Sequence, residues 1–391
     1  MKLLVILSRV PWPIEKGDKL RAFHQLKELS KYHEIVLFCV TDSPVHPDAE
    51  TELKKYCSEI HIHKLSKIKI AFRLLLAFFS SQPFQVKYFY DKAAAKKVNR
   101  VITAFKPQHI FCQLIRCSEY VKNQHHISKT LDYMDALSKG IERRTEKSPF
   151  FFRPLFRAEA RRLVAYENLI FDYFEHKVII SDQDRQFIWH PDQKKIHIIP
   201  NGVDTAYFTP VEREKKYDLV FNGNMNYPPN IDCVEYIVNY VLPECEKRGR
   251  QVSLLISGAN PHKKVKALHN GKSIIVSGWV NDQRDSYASA RIFFAPMQIG
   301  TGLQNKLLEA MSMQLPCITS TLANNALGAL PGKHLLIGEN PADYAEKILS
   351  LLSNSDLRQS LADEGRIFVF NHYKWEVVTA QLSALFTTTN P

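Results

Sequence analysis

The chain has 391 residues, 45% of them hydrophobic and 24% charged, fractions ordinary for a soluble protein but spread over a length that excludes one compact core and calls for two domains. Its formal net charge of +12 is one-sided, because residues 1–177 hold 31 Lys and Arg against 19 Asp and Glu while the remainder is balanced. Such a surplus points to an anionic partner: a phosphorylated substrate, a membrane leaflet or nucleic acid.

The first strand is expected at residues 3–7. A loop with Pro11, Pro13 and Gly17 follows, then a helix over 19–32 and a strand over 35–40, which together make a βαβ unit. Residues 1–9 hold an apolar run too short for a signal peptide, and no window approaches the roughly 20 apolar residues of a membrane span, so any membrane contact is peripheral. In the stretch 64–90, Lys67, Lys69 and Arg73 alternate with Ile68, Phe72, Phe78 and Phe79. A basic, apolar helix of this kind suits either an anionic interface or a core position, and 150–162 repeats the basic-aromatic composition. Further strands are expected at 60–63, 110–112, 130–131 and 178–180. Asp132 and Asp135 follow the third of these, 130–131, where two carboxylates serve either an acceptor hydroxyl or the cap of the next helix.

Asp182-Gln183-Asp184 spells D-x-D, yet Ser181 and an acidic first helical turn explain it without a metal. The histidine pairs His61, His63 and His125, His126 lack further ligands at zinc-like spacing. The seven cysteines form no C-x-x-C pair and most lie in apolar segments, as reduced core residues of a cytosolic protein do. The stretch 199–216, with Pro200, Asn201-Gly202 and Pro210, is the expected domain boundary.

A second series of strands is expected at 219–222, 252–257, 273–277, 292–295, 317–319 and 334–337, followed by a helical tail over 373–386. Alternation of strands and helices in both halves argues for parallel sheets covered on both faces. Within the second half, Gly300-Thr301-Gly302 leads from an apolar strand into Leu307, Leu308, Ala310 and Met311 at helical spacing. A glycine turn opening a helix makes a phosphate cradle, and Lys306 and Glu309 add a cation and a carboxylate one turn apart. Phosphate plus a sugar hydroxyl is the implied ligand.

With these passages the chain resembles the GT-B glycosyltransferases, in particular the family 4 group with its glycosyltransferase group 1 C-terminal domain. The likeness rests on residues 302–316, on Asn201-Gly202-Val203-Asp204 with Phe208 and Pro210, and on 221–230. A narrower likeness of Pro11-x-Pro13, Lys16-Gly17-Asp18-Lys19-x-Arg21, Asp132-x-Met134-Asp135 and 159–163 is to sugar transferases associated with bacterial exosortase and exopolysaccharide loci. The resemblance implies an α/β fold of GT-B type: Rossmann-like domains at 1–198 and 199–372 facing across a cleft, with a C-terminal helix at 373–391 packing back. It implies transfer of a sugar from a nucleotide-diphosphate sugar, with no tightly bound cofactor and no metal, to a glycan or lipid-linked acceptor in surface polysaccharide synthesis. Retention of anomeric configuration and a cytoplasmic location, peripheral on the inner membrane face, are implied as well.

Residue by residue, Glu309 would hold the ribose hydroxyls and Lys306 the diphosphate. Gly302, Leu303, Gln304 and Asn305 would meet phosphate or donor sugar, with Gly223 and Asn224 opposite. Trp279 and Val280 would wall the base, or pack ordinarily. Thr301 stands where the family commonly has a glutamate on the donor sugar, and Pro229 replaces a usual lysine. On the acceptor side the candidates are Gly17, Asp18, Arg21 and Arg9, with Asp135 and Asp132 as catalytic carboxylates. A catalytically inactive nucleotide- or glycan-binding relative and a sugar-nucleotide epimerase are the alternatives. Nucleic acid is the least favoured partner of the basic half, for want of a recognised module, and a dehydrogenase is disfavoured for want of G-x-G-x-x-G after the first strand.

Overall fold

Leu3 to Leu7 are all buried with no polar alternation, the pattern of a parallel strand covered on both faces. The computed structural model, which describes residues 1–146, 148–299 and 302–387, divides into two units, Met1–Pro200 with Val378–Pro391 and Asn201–Val377.

In the first unit, β1 (Lys2–Leu7), β2 (Glu34–Thr41), β3 (Glu59–Lys64), β4 (His109–Gln113), β5 (Ser128–Asp132), β6 (His176–Ile179) and β7 (His197–Ile198) form a sheet in the order β3-β2-β1-β4-β5-β6-β7. All its pairings are parallel, with Leu3 opposite Ile35 on one side and His109 on the other. Successive side chains point to opposite faces, so Leu4, Ile6, Val36 and Phe38 join one core while Leu3, Val5, Ile35 and Leu37 join another. The second core also takes Leu382 and Phe386 from the last helix, Trp375–Thr387, and the Phe386 ring stacks on His109 at 4.5 Å.

The second unit repeats the scheme. Its strands β8 (Tyr217–Asn222), β9 (Leu254–Ser257), β10 (Ile274–Gly278), β11 (Ala290–Ala295), β12 (Cys317–Ser320) and β13 (Leu336–Gly338) run parallel in the order β10-β9-β8-β11-β12-β13. The segment 201–204 is anchored in this unit: Val203 N donates to Tyr373 O at 2.7 Å, and a Cβ on Gly202 would lie 2.7 Å from the Trp375 ring. In both sheets the strand order reverses direction next to the first strand, between β1 and β4 and between β8 and β11. Parallel sheets bind ligands beyond the carboxyl ends of their strands at such a switch point.

Some local expectations are corrected. The first helix is Gly17–Leu29, not 19–32, so Gly17 is its opening residue rather than part of the loop. The short edge strand β7 carries two exposed residues and had no apolar signal to show it. Ser181 Oγ accepts from Asp184 N at 3.1 Å, the cap that the D-x-D reading assigned to it. All seven cysteines are buried and unpaired, and no helix among the described residues is long and apolar enough to cross a membrane.

Candidate active site

In the second unit the loops leaving β8 and β11 flank the switch point. The first begins at Gly223, whose N–H donates to Ser257 O at 3.1 Å. Close packing demands glycine twice here. A Cβ on Gly258 would lie 1.8 Å from Gly223 O, and one on Gly223 would lie 2.8 Å from the Asn230 amide. Asn224 Oδ1 accepts from Asn226 N at 3.0 Å, closing the turn, and Asn230 Nδ2 donates to Asn224 O at 2.9 Å.

The second loop leads into the helix Asn305–Ser312, which buries Leu307, Leu308, Ala310 and Met311 and leaves its opening turn toward the loop. Gln304 precedes it in extended conformation, its side-chain amide donating to Gly302 O at 2.9 Å, and Leu303 packs against the core. Asn305 keeps a buried side-chain oxygen without a partner among the described residues. Gly300 and Thr301 lie outside the described residues, and with them the position where the family's glutamate would stand. Ser312 Oγ donates to Phe208 O at 2.6 Å, tying the helix to the segment that carries Phe208 and Pro210.

Lys306 Nζ donates to Asn230 Oδ1 at 2.5 Å and lies 4.7 Å from the centre of the Phe221 ring. Burial pulls this ammonium down to about 8, opposed by the Cys233 and Glu309 charges. It has no ion pair among the described residues. One turn on, Glu309 Oε2 accepts from the Tyr287 hydroxyl at 2.6 Å, while Oε1 accepts no hydrogen bond from a described residue. Burial raises the Glu309 carboxyl, and the Tyr287 hydrogen bond and Lys306 hold it back. A cation with no ion pair among the described residues and a carboxylate with an open oxygen therefore sit together at the switch point. Asn230, Tyr287 and Gly258 complete the arrangement, and sequence reasoning gave none of them a role. Only Gly258 left a trace, as the start of the turn signal Gly258-Ala259-Asn260-Pro261. Trp279 follows β10 and is 68% exposed, so ordinary core packing does not account for it, and Val280 beside it is half-buried.

The first unit separates the candidates placed there. Arg21 and Asp132 are both 0% exposed: Arg21 Nε donates to Asp132 Oδ2 at 2.6 Å, and its other nitrogens donate to Ile199 O at 2.9 Å and Pro200 O at 3.0 Å. Asp132 Oδ1 accepts from Met134 N at 2.9 Å. Both side chains are thus spent on a buried clamp, which removes Asp132 from a catalytic role and Arg21 from acceptor binding. Arg9 pairs with Asp18, whose Oδ1 also accepts from Lys19 N at 3.1 Å. Asp135 follows β5 with its side chain reaching solvent, yet the protein packed around it withdraws water and, with Asp184 as the second cause, lifts its carboxyl to about 6. Its neighbour Met134 has φ 62°, and Leu114 after β4 has φ 64°. Two non-glycine residues in the left-handed region at adjacent strand ends mark a locally strained rim, as binding sites often do. Among the described residues no group of three or more His, Cys, Asp or Glu side chains is arranged to hold a metal ion.

Residues 216–354 match the family model for glycosyl transferases group 1. An uncharacterised 44.6 kDa protein in the cps region of Klebsiella pneumoniae is 23% identical over 394 residues, covering 95% of this chain and 96% of its own length. Sucrose-phosphate synthase from Thermosynechococcus elongatus shares the fold with a TM-score of 0.69 at 14% identity, over 99% of this chain and 98% of its own. HepE of Anabaena, solved in complex with UDP-glucose, does so with a TM-score of 0.67 at 13% identity over 100% of both chains. Residues 216–354 thus match a glycosyl transferases group 1 domain, and with a Rossmann-like unit before it the chain has the fold of the GT-B glycosyltransferases.

Proposed function

We propose that this protein transfers a sugar from a nucleoside diphosphate sugar, held by the second unit, to a hydroxyl of a glycan or lipid-linked acceptor. The observation that carries this reading is the Lys306 and Glu309 arrangement at the β8/β11 switch point. The open Glu309 oxygen accepts from ribose hydroxyls, a charge-assisted contact, while the Lys306 ammonium and the start of the helix Asn305–Ser312 neutralise the diphosphate. Gly223 and Asn224 line the same end of the sheet, and the exposed Trp279 face stacks on the base.

Asp135 of the first unit accepts the acceptor proton, a task suited to a carboxyl held near 6. The UDP-glucose complex of HepE supports a uridine donor, and the cps-region relative supports an extracellular polysaccharide as the eventual product. Retention of configuration is the outcome that the family resemblance favours. The exposed apolar and basic face of the first unit, where Ile68 is 84%, Phe79 89% and Phe150 80% exposed, suits the anionic inner leaflet of the cytoplasmic membrane.

Thermal shift with UDP and UDP-sugars tests the donor site. UDP should raise the melting temperature of the wild type, and Glu309→Gln should weaken UDP binding roughly 10- to 100-fold, the worth of lost hydrogen bonds to a charged group. An unchanged UDP shift in Glu309→Gln would place the ribose elsewhere.

A further inference from the structure

Arg116 lies in the short helix Ile115–Tyr120 just after β4, and Arg9 in the loop just after β1, so two arginines stand near the switch point of the first sheet. They border a cavity of about 760 Å³ within this unit, a size typical of small-molecule sites, which run from roughly 300 to 1,000 Å³. Its polar groups are mostly committed to one another. Arg9 pairs with Asp18, Asp42 accepts from the Tyr88 hydroxyl at 2.5 Å, and Glu159 accepts from Phe84 N at 2.7 Å and Gln85 N at 3.0 Å.

Two cations are exceptions: Arg144, whose guanidinium has among the described residues only the Phe156 ring, at 5.2 Å, and Arg116. The Arg116 Nε and Nη2 donate to the neutral Gln85 amide oxygen at 2.9 and 2.7 Å, its face lies over Phe89, and it has no ion pair among the described residues. Burial and the nearby Arg9 charge both work against this cation, and the Asp18 and Asp135 charges offset them only in part. A partly buried guanidinium in that position is stabilised by an anion.

The rest of the lining is hydrocarbon, with Leu74 and Phe78 from one helix and Leu155 and Phe156 from another. Phe78 and Phe156 carry that lining outward. The first adjoins Phe79 at the end of the helix Lys67–Ala77, and the second packs against Phe152 of the exposed run Phe150–Phe152. Arg162 joins the two elements by donating to Ala77 O at 3.0 Å. On the helix, Ile68, Phe72, Leu75, Leu76 and Phe79 form an exposed apolar stripe at helical spacing, although Ile70 and Ala77 already supply its buried face. A cavity that holds cations with no ion pair among the described residues, and that has an apolar rim outside, has the polarity of an amphiphile.

We infer that this cavity is the acceptor site and that the acceptor is a sugar joined through phosphate or diphosphate to a long hydrocarbon chain, its phosphate on Arg116, its chain leaving past Phe78 and Phe156, and a sugar hydroxyl left free to receive the transferred sugar. This deepens the transferase reading and rests on it. Isothermal titration of the full-length protein with farnesyl phosphate, farnesol and inorganic phosphate tests it. Farnesyl phosphate should bind at least tenfold more tightly than either of the others and should not be displaced by UDP. Arg116→Gln should weaken farnesyl phosphate roughly tenfold or more and leave farnesol and UDP binding unchanged. Phe78→Ser, at an exposed rim position, should weaken farnesyl phosphate and farnesol while UDP still raises the melting temperature. Equal binding of farnesol and farnesyl phosphate, displacement by UDP, or an Arg116→Gln protein that binds farnesyl phosphate normally would each overturn the assignment. Loss of the UDP shift in Glu309→Gln alongside any of these results would leave the donor site standing and remove only the lipid acceptor.

Discussion

Lys306 and Asp135 are perturbed in ways that set the working pH. Burial lowers the ammonium to about 8 and raises the carboxyl to about 6, so the form with Asp135 ionised and Lys306 protonated predominates between those values. The rate constant kcat/KM reports the free enzyme, so its pH profile should be a bell with an acid limb near 6 and an alkaline limb near 8. Asp135→Asn should remove the acid limb and lower kcat, and a retained acid limb would dismiss Asp135 as the base. Bound diphosphate stabilises the Lys306 ammonium, so UDP binding should take up a proton above about pH 8, which titration in buffers of different ionisation enthalpy measures. Lys306 and Glu309 were legible in the sequence because both follow a glycine turn on one helix, where spacing alone brings them together. Asp132 and Arg21 were not. They are far apart in the chain, and whether a carboxylate at a strand end faces substrate or a buried guanidinium depends on a partner that local pattern does not contain.

At the scale of elements, the donor site depends on two turns meeting backbone to backbone. Gly258 has φ 131°, and a Cβ there would overlap the Gly223 carbonyl at 1.8 Å, so no rotamer change relieves the contact. Gly258→Ala should therefore lower the melting temperature and abolish the UDP shift. Overpacking of this kind typically costs about 1–3 kcal/mol. Gly140→Ala, in the helix Leu137–Glu146 with nothing within 4 Å of the new methyl, should be neutral or stabilising by up to about 1 kcal/mol. Equal effects of the two substitutions would show that the Gly223 turn is not under steric control. Strands and most helices were readable from apolar periodicity, since a parallel strand must be hydrophobic throughout. The glycine contact was not, because the strands before Gly223 and Gly258 are neighbours only after the sheet has formed.

For the whole molecule, the charge surplus in residues 1–177 acquires a location. The exposed apolar stripe of the helix Lys67–Ala77 is bordered by Lys67 and Lys69, both exposed, and the run Phe150–Phe152 by Arg153. Binding to such a leaflet combines buried apolar area with attraction to anionic lipid. The full chain should co-sediment with phosphatidylglycerol vesicles more than with phosphatidylcholine vesicles, and added salt should reduce the difference. Ile68→Ser with Phe79→Ser should lower vesicle affinity by roughly tenfold or more, since each apolar side chain contributes about 1.5–3 kcal/mol when buried. Unchanged sedimentation of that double variant would remove the membrane from the proposal.

Periodicity and turn residues determined by themselves that the chain builds parallel sheets, that a helix carrying Lys306 and Glu309 follows one of the strands, and that its basic character lies in the first half. Those properties follow from residues close together in sequence. Only the tertiary structure decided which charges are used up and which remain available. Arg21 and Asp132 satisfy each other in the interior, whereas Lys306, Glu309 and Arg116 keep unmet electrostatic demand at the ends of their sheets. The availability of a charge depends on its surroundings in three dimensions, and strands that meet in a sheet supply those surroundings from distant parts of the chain.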